Sequence, residues 1–166
     1  EVFSNLSVRQ ALSLSINRNE YKDKLSDSAR PAYAIVPSGV KMLNKSYREL
    51  VSELDKSLLE ETSAKEIWNQ YLISNNKRSI DGIKIIVPQS YNNPEWIKNI
   101  TQQWQDNLEF FCGIEVLPDK EYNTKIQSGD YDIAIYQISG SYNNPASILS
   151  NFKSNSSNNI FGYSNP

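Results

Sequence analysis

The 166-residue chain contains no histidine. That removes the usual general base near neutral pH, the commonest zinc ligand, and every nucleophile–histidine pair. One cysteine, Cys112, allows neither an internal disulfide nor a cysteine metal cluster. Within Phe110-Phe111-Cys112-Gly113 it reads as a small buried hydrophobe. The six glycines form neither GxGxxG nor GxxxxGK[ST], so a glycine-rich nucleotide cradle has no support. No apolar run exceeds strand length, and none would span a bilayer as a helix. Seventeen basic residues stand against nineteen acidic ones, net −2, without a basic block, so nucleic acid is not an expected partner. No metal and no cofactor is implied. Glu1-Val2-Phe3-Ser4 lacks the basic and apolar regions of a signal peptide. The chain is therefore expected to be either cytoplasmic or a piece of a longer exported protein.

What is present centres on Gly129 to Phe152. Tyr131-Asp132-Ile133-Ala134-Ile135-Tyr136-Gln137-Ile138 is a nearly continuous apolar and β-branched run, which predicts a strand buried on both faces. Ser139-Gly140-Ser141-Tyr142-Asn143-Asn144 is a cluster of turn formers. Asn144-Pro145 supplies a helix N-cap and a first-turn proline, and Ala146, Ile148, Leu149 and Phe152 continue as a short amphipathic helix. In open α/β sheets ligands bind in the crevice at the carboxyl ends of the strands. There Ser139, Gly140, Ser141, Tyr142 and Asn143 would offer hydroxyls, an amide, backbone N–H groups and one ring. The plainer reading of the same residues is a solvated connecting loop.

The remainder supplies the frame. Ser7-Val8-Arg9-Gln10 has a capping-box pattern, and Val8, Ala11, Leu12 and Ile16 place a helix over 8–16. Asn19 can cap a second short helix through Leu25, and residues 26–39 form an extended loop with Tyr33 and Ile35 turned inward. Residues 44–75 read as two antiparallel helices. One carries Tyr47, Leu50, Val51, Leu54 and Leu58; the other, capped at Ser63, carries Ile67, Trp68, Tyr71 and Leu72. From residue 80 the pattern is β-α-β-α-β-α: a strand over 83–87, a helix opened by Asn93-Pro94 and ended at Gly113, a strand over 114–117, a helix over 121–127, then the run described above. This alternation predicts an α/β layer structure.

Carboxylates cluster between Asp119 and Asp132. A hydrolase using Asp130 or Asp132 with Glu121 or Asp119 is the enzymatic alternative, although turn and capping roles are commoner at a strand start. Four separated segments instead resemble one family. Residues 7–18, SVRQALSLSINR, resemble the "VRQALslAidR" helix that opens the second lobe of the oligopeptide-binding proteins of ABC importers, the bacterial extracellular solute-binding family 5 type. Residues 29–39 resemble its "Pa…vPpg" loop, residues 129–149 its "GdyDia…g…ydnPlnfL" segment, and residues 161–166 its "gysNpeyD" boundary.

The resemblance implies a periplasmic-binding-protein-like fold, with a mixed sheet flanked by helices, and no enzymatic activity. Residues 1–166 would be the second, C-terminal lobe, with a helical insertion at about 44–75 and the first lobe elsewhere in the polypeptide. It implies partners: a peptide or other small solute (a sugar or signal molecule being the alternative) and ABC permease subunits. It implies a location outside the membrane, lipid-anchored or periplasmic. In the family an aspartate pairs with the peptide's ammonium at the position that falls on Ser141, an aromatic precedes it at Ile138, a small residue lies at Ser139, and a cleft aromatic falls near Tyr122. Serine in place of aspartate is a departure, since it offers only a neutral hydrogen bond.

Overall fold

The structure, a computed structural model, describes residues 2–21, 32, 34–51, 63–91 and 95–164. Three strands, β3 (Lys84–Pro88), β4 (Gly113–Leu117) and β5 (Ile133–Ala134), form a parallel sheet in the order β4-β3-β5. Ile85 faces Ile114 on one side and Ile133 on the other. Antiparallel pairing among the described residues is confined to a separate hairpin, β1 (Lys41–Met42) with β2 (Lys45–Ser46). The helices are α1 (Leu6–Leu14), α2 (Tyr47–Leu50), α3 (Ala64–Ser74), α4 (Glu95–Leu108), α5 (Asp119–Ser128) and α6 (Ala146–Leu149).

Strand alternation divides the core into two layers. On one face of β3, Ile85 and Val87 join Val8, Ala11, Leu12, Trp68, Ile97, Trp104, Leu108 and Phe110. Phe110 is wedged between Trp68 and Trp104, at ring centroid distances of 5.2 and 5.9 Å. The Trp104 indole N–H donates to the Leu12 carbonyl at 3.0 Å, so burying the ring leaves no polar atom unpaired. Gln103, also buried, accepts from the Asn17 N–H at 2.7 Å and donates to Glu20 and Asn99. On the other face Ile86 joins Leu117, Tyr122 and Ile126.

Several expectations need correction. The cap of α1 is Asn5, whose Oδ1 accepts from the N–H groups of Ser7 and Val8; Ser7 lies within the first turn. A 3-10 turn at Arg18–Tyr21 is capped by Asn17, which accepts from the Asn19 N–H, and not by Asn19; the rest of that segment, like Tyr33, Leu54, Leu58 and Asn93-Pro94, lies outside the described residues. Ile35 is 57% exposed, and its neighbour Val36 takes the inward place. The predicted helix from residue 44 is a hairpin and a single turn: Leu43 and Asn44 reverse the chain with φ of 53° and 64°, and Val51 is already extended. The second predicted helix, α3, buries Trp68 and Tyr71 as expected. Helix α4 ends at Leu108, where Glu109 takes the left-handed conformation, and Gly113 begins β4 instead of ending the helix.

The run at 131–138 forms only two residues of regular strand. β5 pairs with β3 alone among the described residues, and Ile135 makes the last ladder bond, N–H to the Ile86 carbonyl at 3.2 Å. Ile133, Ala134 and Ile135 are only half-buried and Tyr136 beyond them is 44% exposed, so the expected burial on both faces is not reached, because β5 is paired on one side for only two residues. The fully covered strand is the central one, β3.

Candidate functional site

Because β3, β4 and β5 are parallel, their carboxyl ends open on one edge, and the segment from Tyr136 to Pro145 leaves from it. Local sequence shapes this loop. The Asn144 side chain accepts from the Ala146 N–H at 2.9 Å, opening α6, and Pro145, the residue just before the helix, is buried. The Ser147 hydroxyl lies 2.9 Å from the carbonyl oxygens of both Tyr142 and Asn144 and shares its proton between them. Gly140 is required by close approach: a Cβ there would sit 2.5 Å from Ser147 Oγ and 3.2 Å from Ile148 Cδ1.

The exposed arc is Ser139, Gly140, Ser141, Tyr142 and Asn143, with Ile138 half-buried beneath it and the Tyr142 ring 60% exposed. Among the described residues, the N–H groups from Ser139 to Asn143 and the hydroxyls of Ser139 and Ser141 have no partner. From Ile133 to Phe152 there is no Asp, Glu, Lys or Arg. The site therefore offers unpaired neutral donors and acceptors on a fixed backbone, and one ring.

Tyr122 is placed differently from the exposed arc. Its ring is 4% exposed on the Ile86 side of the sheet, and its hydroxyl donates to the Ile135 carbonyl, at the point where the loop departs. Burial, and then the neighbouring tyrosines Tyr91, Tyr136 and Tyr131, push its phenol up to about 12. It thus fixes the base of the loop from within the core.

Three of the four clustered carboxylates are engaged in the fold, and the fourth, Glu121, is exposed in the first turn of α5. Asp119 accepts from the Ser90 N–H at 3.0 Å and Asp132 from the Lys84 N–H at 3.2 Å, while Asp130 pairs with Lys125 at 2.8 Å. Asp132 lies at the amino end of β5, away from the loop. Cys112 is partly buried, and desolvation, then the Asp132 charge, push its thiol up to about 11, which keeps it protonated.

Two contributors escaped sequence reasoning. Ser147 was hidden because its bonds depend on the loop's curl. Lys41 lies in the hairpin, whose outer edge meets the loop: the Lys41 N–H donates to Asn143 Oδ1 at 2.8 Å. Residues from 44 onward read as helix, so the sequence pattern predicts no hairpin there.

A parallel sheet with helices over both faces and an open loop at its carboxyl edge is the layout of the periplasmic-binding-protein fold. The likeness extends along the chain in the structure of Listeria monocytogenes OppA bound to peptide, at a TM-score of 0.84 and 26% identity, covering 99% of this chain and 33% of that one. The chain belongs to the bacterial extracellular solute-binding proteins, family 5, whose "Middle" profile matches residues 1–159. It is 26% identical over 168 residues to the periplasmic oligopeptide-binding protein OppA of Haemophilus influenzae, covering 99% of this chain and 30% of that protein. The oligopeptide-binding protein OppAIV of Borrelia burgdorferi is similar at a TM-score of 0.74 and 26% identity, with 98% of this chain and 31% of that chain covered. The chain thus spans about a third of the length of these relatives. No helix among the described residues is long and apolar enough to cross a membrane.

Proposed function

We propose that residues 1–166 are the second, C-terminal lobe of an ABC-importer substrate-binding lipoprotein, one that captures oligopeptides outside the membrane and delivers them to a permease. The single observation that carries this reading is the likeness along nearly the whole chain to an OppA whose structure holds a peptide. The loop chemistry is in keeping with it. An extended peptide needs hydrogen-bond partners for its main chain, and the unpaired backbone N–H groups of Ser139 to Asn143, with the hydroxyls of Ser139 and Ser141, offer them. In the proposed roles Ser139, Ser141 and Asn143 contact the ligand directly, Gly140 gives backbone access, Tyr142 provides a ring wall and Ile138 the floor. Tyr122 positions the loop. Hydrated pockets then tolerate varied ligand side chains. The protein acts by closing two lobes on a ligand, with no covalent chemistry, so it is not an enzyme; Asp119, Asp130 and Asp132 have structural work instead. Ser141 offers a ligand ammonium a neutral acceptor, so the charge–charge attraction of an ammonium–carboxylate pair is absent there.

Native mass spectrometry of the complete polypeptide, purified from its own host, tests this. A ladder of co-purifying peptide masses is the expected result. A single non-peptide mass would keep the fold and overturn the substrate class.

A further inference from the structure

The hairpin carries an inference about which ligands this loop selects, and it rests on the peptide-binding reading above. The Tyr47 N–H donates to the Val40 carbonyl at 2.9 Å, so Val40 and Tyr47 form a hydrogen-bonded pair and the next pair, Lys41 with Ser46, does not exchange bonds. The Lys41 N–H therefore points outward from the hairpin, and it meets Asn143 Oδ1 at 2.8 Å. The hairpin is anchored from behind: Ser46 Oγ donates to the Ser38 carbonyl at 2.9 Å, and Arg48 donates to the carbonyls of Val36 and Ala34 at 2.7 and 3.0 Å. Lys41 is thus held at the loop by its own backbone, while its side chain is exposed and pairs with no carboxylate among the described residues.

The surrounding chemistry makes this cation count. The loop has no ionised side chain of its own, and the carboxylates Asp119, Asp130 and Asp132 are each engaged elsewhere. The exposed Lys41 side chain springs from a backbone that touches this neutral loop and has no carboxylate partner among the described residues, so it adds positive potential to that end of the site. We propose that Lys41 is a specificity-determining residue, selecting ligands that present a carboxylate near Asn143 and disfavouring those that present an ammonium there. Strand alternation puts Lys45 on the opposite face of the hairpin, one residue out of register with Lys41. It serves as a control of equal charge.

The test uses the complete receptor and polyalanine pentapeptides in which Glu, Gln or Lys is walked through each position. Affinities are read at low and at physiological salt. At one position the wild type is expected to bind the Glu peptide about three- to tenfold more tightly than the Gln peptide, with the Lys peptide weakest and the differences compressed by salt. Lys41→Gln should abolish the preference, Lys41→Glu should invert it, and Lys45→Gln should leave it in place. All-Gln peptides should bind the wild type and Lys41→Gln alike, which separates a charge effect from damage to the loop. Equal preference in wild type and Lys41→Gln, with peptides still bound, overturns the role of Lys41 alone. Failure of every peptide to bind wild type overturns the peptide reading itself.

Discussion

The layer on the Ile85 and Val87 face of β3 and the loop leaving β5 hold their shapes by different means. The layer is built from large apolar side chains: Trp68, Phe110 and Ile97 are each no more than 2% exposed, and Phe110 touches two indole rings. The loop is exposed from Ser139 to Asn144 and is shaped by single polar bonds from Ser147, Asn144 and Tyr122, with one glycine providing the space. Stability resides in contacts that water cannot replace, whereas the proposed ligand loop is held, beyond its Tyr122 anchor, by exposed bonds that water can replace at small cost. A ligand surface built in the second way keeps its donors and acceptors available, because its fold does not consume them.

The sharpest way to break this comparison is Phe110→Ala. Truncating a fully buried aromatic side chain costs about 3–5 kcal/mol, a large share of the roughly 5–15 kcal/mol that stabilises a domain. Urea denaturation should show a large fall in midpoint, with ligand binding lost along with the fold. A loss below about 1 kcal/mol would mean that the layer relaxes around the cavity and that the contrast with the loop is unfounded.

Tyr122→Phe probes the junction of the two regions. It leaves the ring in place and strands the Ile135 carbonyl, at an expected cost of about 1–2 kcal/mol. Its pH signature is separate. The folded state holds the phenol proton up to about 12, against an ordinary value of 10.0. The unfolded chain therefore deprotonates first, and the Tyr122 contribution, fully present below pH 10, is lost as pH rises through about 12. The variant should lack that part of the alkaline loss; an identical alkaline profile for variant and wild type would separate Tyr122 from the stability of the loop base.

The two regions also differed in how legible they were. Helix α4 could be read because Ile97, Trp104 and Leu108 recur at helical spacing and are all buried, and α5 because Gly129 closes it with a φ of 71°. β3 and β4 were readable as β-branched runs. Irregular segments were not: Ile35 and Val36 are adjacent and equally apolar, and nothing periodic says which turns inward. The hairpin was misread because Leu43 is an unusual residue for a left-handed turn, while its flanks mimic a helical stripe. Asn144-Pro145 announced where the site loop ends. However, the bond from Lys41 to Asn143 joins residues 102 apart, beyond any local pattern. The burial of Tyr122 likewise depends on Ile86 and Leu117, from two strands of the sheet beneath its helix.

Gly140→Ala is expected to have the smallest effect on stability, and it bears most directly on how the loop is organised. The added methyl meets Ser147 Oγ at 2.5 Å, so that hydroxyl must leave one or both of the carbonyls it serves. Both carbonyls belong to an exposed loop where water can take over, so the loss should be about 1 kcal/mol, at the low end for an overpacked site. Ser147→Ala removes the obstacle and the bonds together. Adding Gly140→Ala to that background should then cost little, giving a coupling of about 0.5–1 kcal/mol in a double-mutant cycle. Ligand affinity of the complete receptor should fall several-fold in each single variant, because the arc from Ser139 to Asn143 is no longer held. Strict additivity, or affinity unchanged in both, would mean that the arc keeps its shape without the contact between Gly140 and Ser147, and that its polar bonds do not organise the site.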